Sequence, residues 1–82
     1  MLTFCRLCAE PKNPMEIAAS ISDHEQFIEQ KLWACCQWTA ENTEQRLPHS
    51  ICAICLDKLD KSWIFLQSVQ LAQQNLHEIF GS

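Results

Sequence analysis

Four of the six cysteines in this 82-residue chain are paired as Cys5-Arg6-Leu7-Cys8 and Cys52-Ala53-Ile54-Cys55. Two intervening residues let both sulfurs of a pair reach one ion. Two such pairs complete a tetrahedral shell at Zn–S distances of about 2.3 Å. A shell of four thiolates has no open position for water or substrate, so the chemistry it implies is structural. The spacing therefore predicts one Zn²⁺ per chain, held by Cys5, Cys8, Cys52 and Cys55.

Competing readings of the same residues explain less. A thiol oxidoreductase wants one accessible C-x-x-C at a helix start that follows a strand. That reading leaves the second pair and a long C-terminal helix without purpose. A RING-type ligase needs more ligands than the four in pattern here, in a cross-braced order. The chain has no Ser/His/Asp set, no glycine-rich phosphate loop and no paired carboxylates in an apolar setting. No catalytic residue and no site for an organic cofactor is assigned, and the expectation is a protein that is not an enzyme.

The remaining chemistry-bearing residues read as support. Cys35 and Cys36 could join the metal or form a redox pair, but free cysteine is usually a buried apolar side chain, which is the expectation for both. His24, His49 and His77 follow no ligand spacing. Only His49, close before Cys52, is near a knuckle. Arg6, inside the first knuckle, could hold an anion. Its five donors better suit backbone carbonyls and an acidic partner near the thiolates. Trp33, Trp38 and Trp63 could form a base-stacking platform. Without basic residues interleaved among them, they are expected in core or interface packing.

Charge points the same way. Six Lys and Arg face ten Asp and Glu, a formal net charge of -4, and four thiolates on one zinc would add a further net −2. The cations are scattered among acids, whereas phosphate-backbone binding needs them clustered. No direct nucleic-acid contact by this domain is expected. No apolar run approaches the roughly 18 residues of a membrane span, and no membrane partner is expected. Met1-Leu2-Thr3-Phe4-Cys5 lacks the basic-then-apolar pattern of a signal peptide, so the cysteines are expected as thiols in a reducing compartment rather than as disulfides.

The elements that must position these residues are few. Pro11-Lys12-Asn13-Pro14 reads as a turn after the first knuckle, and Met15–Ile21 as a short strand. Ser22-Asp23-His24-Glu25 has the capping-box pattern, so a helix is predicted from about Asp23 to Ala34, with Phe27, Ile28, Lys31, Leu32 and Cys35 at helical spacing. Residues 35–39 read as a short strand and Ala40–Arg46 as an exposed loop. Ser50 is a plausible cap for a helix running from Ile51 to about Phe80, where proline and glycine are absent, with Gly81 at its stop. Thirty helical residues would reach about 45 Å, more than the rest of so small a domain can cover.

These residues together resemble the zinc-finger-associated domain (ZAD) of insect C2H2 zinc-finger transcription factors. The resemblance rests on Cys5-Arg6-Leu7-Cys8, on Leu47-Pro48-His49-Ser50-Ile51-Cys52-Ala53-Ile54-Cys55, and on Leu59, Trp63 and Phe65 in the long helix. It spans nearly the whole chain, and the 43-residue spacer between the knuckles suits it. One departure is Val69, at a position where family members often carry a cysteine outside the ligand set.

The resemblance implies an α+β fold: a small, zinc-stabilised, treble-clef-like domain with two zinc knuckles, a short helix and a long C-terminal helix. It also implies that residues 1–82 are one such domain at the amino terminus of a longer chain, and that Arg6 is a structural hydrogen-bonding residue. The domain would act in the nucleus by homodimerisation, with downstream C2H2 fingers binding DNA. An adaptor that recruits a different protein is the alternative.

At about 100° per residue, Leu59, Phe65, Leu66, Val69, Ala72, Leu76, Ile79 and Phe80 form one broad apolar stripe on the long helix. Ile64 and Leu71 lie on another face, with Trp63 nearby. Two apolar faces imply two burial partners, the domain's own core and a second copy. The interface is expected at Trp63, Val69, Leu71, Leu76, Ile79 and Phe80, with the distal residues dominant because they lie farthest from the zinc.

Overall fold

With one glycine in the chain, tight turns fall to other residues. Ala9, Phe27 and Gln37 all adopt left-handed backbone (φ 62°, 54° and 54°), a region that is costly for residues bearing a Cβ. Each marks a corner of the fold. Ala9 closes the first knuckle, while Phe27 and Gln37 bound the first helix. The computed structural model describes residues 2–39 and 46–81, and shows an α+β fold built of two small hairpin sheets and two helices.

Strand β1 (Thr3–Phe4) pairs antiparallel with β2 (Pro11–Lys12), with Thr3 opposite Lys12. The Cys5 amide donates to the Glu10 carbonyl (3.0 Å) and the Ala9 amide to the Cys5 carbonyl (2.9 Å), so the knuckle is the hairpin's own turn. A 3₁₀ turn (Pro14–Glu16) follows, and here the Glu16 carboxylate accepts the Asn13 amide at 2.9 Å. Strand β3 (Ile17–Ser20) then pairs antiparallel with β4 (Ser50–Cys52), with Ile17 opposite Cys52 and Ser20 opposite Ser50, and a register shift between Ile17 and Ala19.

Helix α1 spans Ile28–Cys36, a later start and end than the sequence suggests. The expected capping box at Ser22–Glu25 does not form. Instead the Asp23 carboxylate accepts the amides of Glu25 (3.0 Å) and Gln26 (3.3 Å), folding this stretch into a turn that competes with helix. Cys35 and Cys36 are the last turn of α1 and not a strand. The Gln37 amide closes that turn on the Trp33 carbonyl at 2.9 Å.

Helix α2 runs Ala53–Phe80. Its N-cap is Cys52 rather than Ser50, which is committed to β4. It stops at Gly81, whose amide reaches the His77 carbonyl at 2.8 Å; Gly81 is not left-handed (φ −103°). No helix is long and apolar enough to cross a membrane among the described residues. Residues 40–45, most of the expected loop, lie outside the described residues.

The core is small and sits where the β3–β4 sheet meets both helices. Ile21, Ile28, Leu32, Ile51 and Leu59 are buried, with Leu7, Ala19, Cys35, Cys55 and Leu56 packed around them. Ile28, Leu32 and Cys35 repeat at helical spacing on the inner face of α1, as expected. Lys31 on the same helix reaches Asp60 of α2 at 2.8 Å, tying the two helices beside the core.

The long helix outruns this core, and the molecule extends 58 Å along its longest axis against 26 and 20 Å across. Among the apolar side chains of α2 from Trp63 onward, only Trp63 and Leu66 are even half-buried. Phe65, Val69, Leu76, Ile79 and Phe80 are exposed, as are Ile64 and Leu71 on another face. The expected stripe thus divides, Leu59 serving the domain's core and the distal residues serving none of it.

Candidate metal centre

Each C-x-x-C is presented by a different local device. Cys5 and Cys8 flank the β1–β2 turn, whose curl the left-handed Ala9 completes. Cys52 ends β4 and Cys55 lies in the first turn of α2, where the helix N-terminus favours negative charge. The Arg6 amide donates to the Ser50 carbonyl at 2.7 Å, and the Ile21 amide to the His49 carbonyl at 2.7 Å. The first bond ties the two knuckles together, and the second extends the β3–β4 pairing that holds the second knuckle in place.

The result is a cluster in which the sulfurs of Cys5, Cys8, Cys52 and Cys55 all lie within 4.8 Å of one another. A tetrahedron with Zn–S bonds of about 2.3 Å has S···S edges of about 3.8 Å, so little movement closes the shell. Protonation chemistry supports the same fit. Burial works against the Cys5 thiolate, yet backbone amides of Cys52, Cys8 and Leu7 outweigh it and bring the thiol from 9.0 to about 6. The Cys52 and Leu7 amides stand 3.4 Å from Cys5 Sγ. Cys55 moves the other way, pushed far up by burial and by the three neighbouring sulfurs. Four sulfurs at this spacing cannot all ionise against one another. A divalent cation at their centre removes that conflict, and the all-sulfur donor set suits zinc. When bound, the ion supplies a cross-link and not a reactive centre.

The other candidates fall around this cluster. Among the described residues, none of His24, His49 and His77 belongs to a group able to hold a metal. The Arg6 side chain lies over the Trp38 ring at 5.4 Å from its centroid, with Nη1 3.5 Å from the Pro48 carbonyl. It therefore spans from the first knuckle to the segment before the second. Sequence spacing gave no hint that Trp38 lies beneath it, because the contact depends on where α1 ends. Cys35 is half-buried against the core, and burial raises its thiol. Cys36, expected to be buried, is exposed, because Gln37 ends the helix before that face is covered. Trp33 is likewise exposed rather than in the core.

Two knuckles closing one shell of four cysteines, set on an α+β scaffold, define a structural zinc domain. The family model of the zinc-finger associated domain (zf-AD) matches residues 4–79, and the chain belongs to that family. It is a family of zinc-finger protein-interaction domains and not of enzymes. No curated protein and no solved structure matches the chain.

Proposed function

We propose that this domain is the homodimerisation module of a C2H2 zinc-finger transcription regulator. Residues 1–82 would form the amino-terminal part of a longer nuclear chain, with downstream fingers contacting DNA and this domain contacting its own copy. Zinc holds the fold, Arg6 positions the two knuckles by bridging them, and the distal half of α2 makes the contact. The observation that carries this reading is that distal half. Phe65, Val69, Leu76, Ile79 and Phe80 are 69%, 38%, 46%, 70% and 80% exposed.

The spacing of these residues supports a helical partner. Phe65, Val69, Ala72, Leu76 and Ile79 alternate steps of four and three, the seam of a helix that packs along another helix. Charge is sparse there, since Glu78 is the sole Asp, Glu, Lys or Arg between Ser62 and Phe80. A contiguous apolar seam on a small soluble domain marks an interaction site. A twofold pair of identical chains is the commonest way to bury one. Leu71 lies roughly 120° around the helix from the seam, and Trp63 stands where the core gives way to it; the proposed interface takes in both, so the second copy wraps beyond the seam.

Sedimentation tests the proposal. Zinc-loaded protein is expected to sediment as a dimer, and Leu76→Glu combined with Phe80→Glu to give a zinc-loaded monomer. A double variant that remains a dimer refutes the distal interface. A wild-type monomer refutes homodimerisation and favours the adaptor reading, in which the same seam recruits a different protein.

A further inference from the structure

We propose that Cys8 is the ligand through which the closed zinc shell is opened, a modification site for small peroxide oxidants. The four cysteines are chemically alike in sequence but unlike in place. Cys5 is 0% exposed and Cys52 1% exposed; Cys55 is half-buried in the first turn of α2, and Cys8 alone is exposed. Cys5 Sγ stands within 3.4 Å of the Leu7 and Cys52 amides, and such bonds draw charge from the sulfur and hold it in place. Cys8 sits at the outer corner of the hairpin turn, just before the left-handed Ala9; the Glu10 amide bonds its sulfur, yet the residue stays exposed.

Oxidation of a zinc thiolate follows access. At Cys8 the sulfur lone pair attacks one peroxide oxygen, an S–O bond forms, and the O–O bond breaks with hydroxide leaving. Sulfur loses two electrons and hydrogen peroxide gains them. The product, a sulfenic acid, is a poor zinc ligand, and Cys5, Cys52 and Cys55 alone would be left to hold the ion. Because the shell joins both ends of the fold, chemistry at this one exposed corner reaches the whole domain. The inference concerns the shell alone and stands whether or not the domain dimerises.

The test uses zinc-loaded protein carrying Cys36→Ser, which removes the exposed thiol outside the shell. Limiting hydrogen peroxide is added with a sulfenic-acid trap and a chromogenic zinc chelator, and peptide mass spectrometry ranks the four ligands. Trapped Cys8 is expected to lead Cys5 and Cys52 by at least about fivefold, because susceptibility follows exposure, with zinc release following Cys8 modification. Equal labelling of the four, or zinc release that precedes modification of Cys8, overturns the proposal. Cys8→His is a second arm, since imidazole completes Cys3His zinc shells and does not form a sulfenic acid. Its zinc release is expected to slow by at least about fivefold, and a folded Cys8→His protein that loses zinc as fast as wild type also overturns the proposal. If that variant does not fold, the labelling order decides alone.

Discussion

Replacing Cys52 with serine should unfold the domain rather than loosen it. Cys52 is 1% exposed, ends β4 opposite Ile17, caps α2 and donates its amide toward Cys5 Sγ. A serine hydroxyl fits that space but is a weak zinc ligand. The zinc bridge from Cys8 to Cys52 closes a loop of about 45 residues, and a constraint of that length removes chain entropy worth about 4 kcal/mol. Structural zinc in small domains contributes about 10 kcal/mol or more of apparent free energy at neutral pH. A domain of this size has about 5 kcal/mol of net stability to lose. The loop term alone would leave about 1 kcal/mol, and the zinc term takes the remaining stability below zero. Far-UV circular dichroism and metal analysis of Cys52→Ser, beside wild type treated with chelator, make the test. Both samples should lose helical signal and lack a cooperative melt. A metal-free Cys52→Ser protein with wild-type dichroism and a sharp melt would refute the reasoning, because the hydrophobic core would then suffice alone.

Arg6→Lys should lower stability by about 1–3 kcal/mol, since an ammonium cannot both lie flat on the Trp38 ring and reach the Pro48 carbonyl; an unchanged melting temperature would show that the bridge is dispensable. Acid should release the metal. Cys5 has its folded-state thiol lowered from 9.0 to about 6, so its contribution is complete above the ordinary thiol range and is lost as pH falls through about 6. Dialysis followed by metal analysis should show one zinc per chain at pH 7 and progressive loss below about 6 as protons compete for the thiolates. Full retention at pH 4 would contradict this.

What the sequence determined by itself was local chemistry and long periodicity. The two C-x-x-C pairs announced the ligand set because a chelate bite depends only on spacing along the chain. The unbroken run before Gly81 announced α2 because nothing in it interrupts a helix. The excess of that helix over the available core was legible for the same reason. Tertiary structure decided the rest. Whether Asp23 starts a helix or folds a turn depends on which backbone amides its carboxylate meets, and a capping pattern cannot distinguish them. Ser50 could cap a helix or pair with Ser20, and the β3–β4 ladder, which joins segments thirty residues apart, decided for pairing. The ending of α1 at a left-handed Gln37 put Trp38 under Arg6 and left Cys36 in solvent. Four cysteines that are equivalent by spacing became two buried, one half-buried and one exposed, because burial belongs to the packing of distant segments and not to any residue's neighbours in the chain.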